Sequence, residues 1–379
     1  MRVLFASTRG TGHLQPLVPY ARALLGRGHE VLVAGPADLA EPLREAGLSH
    51  APFGHPGDKA LAPIWARLRG VSQEDANAIA MREIFAGANA VAALPKLEET
   101  IAAWKPDLVV RDSVEFASLV AAEHAGVPHA RVAVHMVSFE EAIPLVAREP
   151  IDLLRERVGL PPDEGASLRA EPIFTAFPAS LDGVDGDVQA RPFRCRPIDD
   201  GTGAAWPTDD RPLVYVTFGT IAGGTPEAQA VYRTALEAVA DLPISALLTT
   251  GRGLPAGTLG AIPSNVQVEA WVPQRDVLPH VRAVVCHAGS GTLVGSLAAG
   301  VPLVAVPLFA DQPHNARRVE AVGAGLALSR PDAGTLRSAI ERVVEEPAFR
   351  RVAQGLGEEI AALPTVDEAV DVMGALAGR

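Results

Sequence analysis

Residues 271–315 read WVPQRDVLPHVRAVVCHAGSGTLVGSLAAGVPLVAVPLFADQPHN. Within this stretch, 283–286 is a short apolar, β-branched run suited to a buried parallel strand. It ends at His287 and passes through Gly289, Ser290, Gly291 and Thr292 into an apolar helix over about 293–299. Another apolar strand, 303–306, follows that helix. Strand, glycine-rich turn, helix and strand in that order predict an α/β domain built on a parallel sheet.

The same stretch carries chemistry. Glycines let the turn approach a ligand closely. The helix that follows presents unpaired N–H groups and the positive end of its dipole to an anion. Trp271, upstream, can stack on a nucleobase, and Asp311 and Gln312, after the next strand, can hold sugar hydroxyls. Base, diphosphate and sugar are the three parts of a nucleotide-activated sugar, so a donor site for glycosyl transfer is expected. A departing diphosphate gains charge, and this cradle would stabilise it.

Strands and helices alternate on both sides of this stretch. Residues 213–218, 244–249 and 266–269 read as strands, with a helix over 226–240, and 326–329 continues the series. The first half repeats the pattern, with strands at 2–6, 30–34, 107–110 and 129–134 and helices at 14–27 and 116–125. Residues 191–211 lack periodicity and are rich in Pro, Gly and Asp. The expected division is therefore a first domain over 1–195, a linker over 196–211 and a second domain over 212–361. Both halves are Rossmann-like, and ligands of such sheets bind at the carboxyl ends of the strands, which places the active site in a cleft between the halves. Residues 52–94 lack a clean strand pattern and suit loops and short helices.

Composition agrees with this reading. A chain of 379 residues exceeds the usual limit of one core. With 48% apolar and 21% charged residues it is globular in type. A net charge of −12 without a basic block argues against nucleic-acid binding. Cys195 and Cys286 are too few for a disulfide framework, so a reducing cytoplasm is the expected setting. The opening MRVLFASTRG reads as a strand and not as a signal peptide, and no apolar stretch is long enough to cross a membrane. The acidic pairs Asp199-Asp200 and Asp209-Asp210 fall in the linker, and no His/Cys cluster has zinc spacing, so neither a metal nor a resident cofactor is expected.

The first strand-to-helix turn runs from Ser7 to His13. Gly10 and Gly12 match two glycines of a dinucleotide fingerprint, but the third position is Gln15. No acid follows the second strand either, where Ala34 and Gly35 stand, so a nicotinamide cofactor fits poorly. His13 should point into the cleft, where a neutral imidazole can accept a proton from a hydroxyl. Asp112, after the apolar run 108–110, could cap the helix that follows it.

The donor stretch, together with the RGTGHLQP turn, resembles the family 1 glycosyltransferases of GT-B fold. The resemblance covers the whole chain and is closest to actinomycete enzymes that decorate natural products. It implies two Rossmann-like parallel-sheet domains facing across a cleft, with a C-terminal helix, 362–379, packing back on the first. It implies His13 as the general base and Asp112 as its acidic partner, fixing the imidazole tautomer. It places Gly12, Gly219 and Thr220 with Gly289, Ser290, Gly291 and Thr292 at the donor phosphates, beside His287. Trp271 and Val272 belong to the family's base-binding turn, and Asp311 and Gln312 to its sugar contacts. Many relatives using a ribonucleotide carry a glutamate eight residues after the signature histidine. Here Gly295 stands there, which favours a dTDP-sugar over a UDP-sugar.

The expected activity is inverting transfer of a deoxysugar from a dTDP-sugar to a hydroxyl of a hydrophobic natural-product aglycone. A UDP-sugar donor is the alternative. A catalytically silent auxiliary protein of the same fold would show damaged donor or base residues, and His13, Asp112, His287, Asp311 and Gln312 are all present. A sugar-nucleotide epimerase would need no acceptor. Phe53, Trp65, Phe85, Phe116 and Met136 are candidates to line an apolar acceptor pocket, although each could equally serve a core. The expected partners are the small-molecule donor and a flat or polycyclic aglycone. Assembly as a homodimer is compatible with the sequence.

Overall fold

The computed structural model describes residues 1–183, 192–196, 210–219, 226–251, 254 and 256–378. They fall into two compact units. Met1–Ala176, Val184–Pro197 and Pro364–Arg379 make the first, and Phe177–Gly183 with Ile198–Leu363 the second.

The first unit is built on a seven-stranded sheet in the order β3-β2-β1-β4-β5-β6-β7. Its strands are β1 Arg2–Ala6, β2 Glu30–Pro36, β3 His50–Phe53, β4 Leu108–Asp112, β5 His129–Val132, β6 Ile173–Thr175 and β7 Phe193–Arg194. Every pairing is parallel. The strand order turns back at β1 and β4, which lie side by side with Ala6 opposite Arg111. The turn after β1 and the end of β4 therefore share one edge of the sheet, at the switch point where open α/β sheets bind ligands. The central strands are buried on both faces, as Val3, Leu4, Phe5, Leu108, Val109 and Val110 have no exposed surface.

The second unit has a six-stranded parallel sheet in the order β10-β9-β8-β11-β12-β13. Its strands are β8 Leu213–Thr217, β9 Ser245–Thr249, β10 Val266–Glu269, β11 Ala283–Cys286, β12 Leu303–Ala305 and β13 Gly325–Ala327. The order turns back between β8 and β11, so the segments that leave these two strands meet at a second switch point.

Several elements differ from the sequence expectation, each for a physical reason. The helix expected over 14–27 is two helices, Thr11–Leu14 and Val18–Gly26, because Pro16 interrupts the hydrogen-bond ladder between them. Residues 52–94 are mostly helical: Asp58–Leu68 is followed by Gln73–Ile79, a π-helical run Ala80–Asn89 and Ala90–Trp104. The aperiodic stretch after 191 contains β7, only two residues long and too short to show a period. Beyond it, the Cys195 N–H bonds the Thr175 carbonyl and the thiol meets the buried Tyr20 hydroxyl at 2.9 Å. Residues 177–183, placed by sequence in the first domain, belong to the second unit. There the Arg318 guanidinium donates to the carbonyls of Leu181 and Ser180 at 2.8 and 3.3 Å. The last helix, Val366–Leu376, opens on a capping box of Thr365 and Glu368. It buries Val366, Ala369, Val370 and Met373 in the same core as Leu17, Ala21 and Leu24 of the first unit. No helix among the described residues is long and apolar enough to cross a membrane.

Candidate active site

Two groups of side chains stand at the two switch points. In the first unit the chain leaves β1 through Ser7 and Thr8, both buried, and Gly10 takes φ +114°, a conformation open to glycine. The short helix Thr11–Leu14 then presents His13, whose side chain is 21% exposed. Its Nδ1 lies 3.6 Å from Oδ1 of Asp112, an ion-pair distance slightly longer than a hydrogen bond.

Asp112 is fully buried and held from both sides. Oδ2 accepts the Thr8 N–H at 2.7 Å and the Thr8 hydroxyl at 3.1 Å. Oδ1 accepts the N–H groups of Val114 and Glu115 at 2.7 and 3.1 Å. Burial alone would raise this carboxyl; the His13 imidazole and the Thr8 and Val114 N–H groups outweigh it and hold the pKa below the ordinary value. Asp112 is thus an ionised, fixed anion behind the imidazole. The helix Ala117–Ala125 is capped instead by Glu115, which accepts the Ala117 and Ser118 N–H groups. Burial pushes the Glu115 carboxyl up to about 7.

Around His13 the structure sorts the five acceptor-pocket candidates. Phe85, on the π-helical run, sets its ring 5.8 Å from the His13 ring. Phe53, Phe85 and Phe116 line a shallow depression with Thr8, Asn89 and Glu115. Phe116 and Met136 have no exposed surface: Met136 lies in the core outside that lining, and Phe116 forms the buried floor of the depression. Phe116 lies under the buried Arg111 guanidinium, 5.4 Å from its ring centroid. Trp65 is 46% exposed on the helix Asp58–Leu68, outside the lining of that depression.

In the second unit β11 runs into His287, and the helix Ser290–Ala298 begins with no side chain capping it. Its first N–H groups are therefore open to an anion. The helix starts three residues earlier than the apolar pattern suggests, because Ser290, Gly291 and Thr292 form its first turn. Two glycines enclose His287: a Cβ on Gly219 would lie 2.8 Å from Nε2, and one on Gly289 only 2.4 Å. Burial pushes the His287 imidazole down to about 4, against the pull of Asp311, so it is neutral at pH 7. Thr220 lies outside the described residues.

The remaining donor candidates divide between presenting and supporting roles. Trp271 is 54% exposed, whereas Val272 after it is buried. The Gln274 amide donates to the Thr292 hydroxyl at 3.0 Å and ties the Trp271 turn to the cradle helix. Asp311 and Gln312 are both more than nine-tenths buried. Oδ2 of Asp311 accepts the Ser290 hydroxyl at 3.0 Å and the Asn315 amide at 2.7 Å. The Gln312 carbonyl oxygen accepts the Leu308 and Phe309 N–H groups at 2.9 and 3.1 Å. This pair, expected only as sugar contacts, also builds the loop that carries it.

The family follows from comparison with known proteins. Residues 22–165 and 234–376 match the N-terminal and C-terminal domains described as erythromycin biosynthesis protein CIII-like. L-demethylnoviosyl transferase of Streptomyces niveus is 34% identical over 382 residues, covering 96% of this chain and 95% of that protein. The chain belongs to the erythromycin biosynthesis protein CIII-like family. It is a glycosyltransferase of the kind that works in antibiotic and other natural-product pathways. The calicheamicin glycosyltransferase CalG4 superposes with a TM-score of 0.82 at 26% identity, covering 100% of this chain and 98% of that one. The glycosyltransferase VinC in complex with dTDP superposes at 0.79 over 100% of both chains, and its 24% identity speaks for the fold alone. The fold is GT-B, with two parallel-sheet Rossmann-like domains.

Sequence reading of this glycosyltransferase passed over three residues. Asn315 is fully buried, and its amide holds the Ala288 carbonyl at 2.9 Å as well as Asp311. Ala288 sits at φ +62°, a strained position for a residue with a Cβ, so Asn315 fixes the backbone just before the cradle. His135 and Glu140 follow β5 beside His13. The usable signal was position: both come after the carboxyl end of a strand next to β4.

Proposed function

We propose that this glycosyltransferase moves a deoxysugar from a dTDP-sugar to a hydroxyl of a hydrophobic natural-product aglycone, with inversion. The observation that carries the reading is the His13 imidazole 3.6 Å from the buried, ionised Asp112 at the β1/β4 switch point. Asp112 orients His13 through Nδ1 and stabilises the imidazolium, leaving Nε2 to take the acceptor proton. As the proton leaves, the acceptor oxygen forms its bond to the anomeric carbon and the bond to the diphosphate breaks. One base acting on the acceptor makes this a single displacement, which inverts the anomeric centre.

The second unit would hold the donor. The uncapped helix Ser290–Ala298 and the neutral His287 meet the charge that grows on the leaving diphosphate, so no metal ion is assigned to that task. Trp271 would stack on the base. Gly295 leaves no carboxylate for a ribose 2′-hydroxyl, and the dTDP bound by VinC agrees in kind. The two buried, unpaired thiols, Cys195 and Cys286, suit a reducing cytoplasm.

The test is the product. An α-linked dTDP-deoxysugar and an alcohol aglycone should yield a β-glycoside, read from the anomeric coupling constant by NMR. Retained configuration would overturn the single-displacement mechanism. Conversion of the donor to another sugar without any acceptor would point to an epimerase instead.

A further inference from the structure

Directly before Asp112 the first unit buries a cation. Arg111 is the next-to-last residue of β4, and only 1% of its side chain is exposed. One edge of the guanidinium is pinned by Glu171: Nε donates to Oε1 at 3.0 Å and Nη2 to Oε2. Glu171, with no exposed side-chain surface, also faces Nδ1 of His129 at 2.9 Å and Nη1 of Arg131 at 3.5 Å. Burial would lower the Arg111 pKa, but Glu171 outweighs it, so the cation persists.

The remaining nitrogen of Arg111 works on the turn that follows the strand. Nη1 donates to the carbonyls of Asp112 and Ser113, both at 3.0 Å, and to that of Glu115 at 3.3 Å. The Ser113 carbonyl belongs to the same peptide unit as the Val114 N–H, which donates to Oδ1 of Asp112 at 2.7 Å. Oδ1 is the oxygen that faces Nδ1 of His13 at 3.6 Å. An unbroken path therefore runs from Glu171 through Arg111 and one planar peptide to the anion behind the imidazole. A cation at the carbonyl polarises the amide and strengthens the N–H at its other end. Planarity of the peptide fixes the direction of that N–H. A buried ion pair adds little stability over apolar residues of the same volume. Apolar side chains, however, could not gather the carbonyls of Asp112, Ser113 and Glu115 on one nitrogen.

We propose that Arg111, clamped by Glu171, is a positioning residue for the reaction. It sets Oδ1 of Asp112 against His13 through the Ser113–Val114 peptide, and so decides which imidazole nitrogen carries the proton. Arg111 acts through Asp112 and not on the substrate. The inference rests on the reading of His13 as the base, whose Nε2 must be bare to take the acceptor proton.

The test reads the His13 tautomer, which needs no substrate. Full-length protein labelled with heavy nitrogen in its histidines is measured by NMR at pH 8, where a free imidazole is neutral. The His13 signals are assigned by their loss in His13→Ala. In the wild type the Nδ1–H form should lead by at least about tenfold, the worth of one hydrogen bond to a charged group. Arg111→Lys keeps the charge, but one nitrogen cannot hold both Glu171 and the turn, so the two tautomers should come within about threefold of each other. Arg111→Gln, which lacks the charge, should go at least as far. Val109→Ala is the control for lost packing alone. It removes buried apolar contacts from the same strand, should cost stability, and should leave the tautomer as in the wild type. Mixed tautomers in the wild type, an unchanged tautomer in Arg111→Lys, or an equal shift in Val109→Ala would each overturn the assignment. If Arg111→Gln does not fold, Arg111→Lys decides alone; if neither folds, Arg111 serves the core and the assignment falls. Failure here leaves the His13 base intact, whereas normal turnover by His13→Ala would remove the base and leave the tautomer result standing.

Discussion

If His13 and Asp112 act as one unit, their losses should not multiply. His13→Ala removes the proton acceptor, and its turnover on an alcohol aglycone should fall at least about a hundredfold, or about 2.7 kcal/mol in barrier. The fold should hardly notice, since His13 is partly exposed in a four-residue helix. Asp112→Asn is different. The carboxylate accepts two donors on each oxygen, four in all. An amide can match only one side, so its NH2 faces either the Thr8 pair or the Val114 and Glu115 N–H groups. At about 1–3 kcal/mol for a stranded buried donor, the first unit should lose about 2–4 kcal/mol and still fold. Its kcat/KM should also fall on the order of a hundredfold, because the imidazole loses its anchor. In the double variant, independent roles would give a loss on the order of ten-thousandfold. A shared role gives a loss within about threefold of the worse single variant. The assay is kcat/KM for all four proteins, with thermal unfolding and dTDP titration as controls. Multiplicative losses, or near-normal turnover by His13→Ala, refute the reasoning.

Activity should survive exhaustive chelation, because the helix N-terminus and His287 are assigned the diphosphate charge; restoration of a dead, chelated enzyme by magnesium or manganese would show that assignment to be wrong. dTDP should bind at least as tightly as UDP, and Gly295→Glu should shift the ratio about tenfold toward UDP. The new Cβ would meet only the Leu278 Cδ1 methyl, at 3.3 Å, the end of a flexible side chain that can give way. A wild type that clearly prefers UDP-sugars sinks the argument. Stability should also depend on pH through His129, whose Nδ1 is 2.9 Å from Glu171. Against the opposing effect of burial, Glu123 and Glu171 raise His129 from 6.5 to about 9. Burial likewise opposes the fall of Glu171 from 4.5 to about 2, which Arg111 and His129 cause. The histidine contribution is complete below about 6.5 and lost as pH rises through about 9, and the glutamate contribution is complete above about 4.5 and lost as pH falls through about 2. Urea unfolding from pH 6 to 10 should therefore cost the wild type more than His129→Gln, and equal slopes would exclude the linkage.

Features encoded by a local pattern are legible in the chain alone. Alternating apolar strands and amphipathic helices announced two parallel sheets. A glycine-rich turn between strand and helix announced the cradle at 287–292, because the geometry that receives a phosphate lies within a few consecutive residues. His13 was legible for the same reason, as it belongs to a strand-to-helix turn. Short elements escaped: β7 is two residues long and β6 three, and no period can show in so few. The continuous helical run through 73–104 escaped because its π-helical segment breaks the 3.6-residue period.

Which residues meet depends on long-range packing. Met136 was as plausible in a pocket as Phe85, and burial sent it to the core, while Phe116 became the buried floor beneath Phe85. Gln312 looked like a sugar ligand, and the two N–H groups on its carbonyl oxygen show what it supports. His135 and Glu140 lie more than a hundred residues from His13 in sequence. They reach it because β5 pairs with β4 and β4 with β1, so that the carboxyl ends of all three strands share one edge of the sheet. That proximity is a consequence of strand order, and strand order is set by long-range burial of apolar strands, which no local window of sequence records.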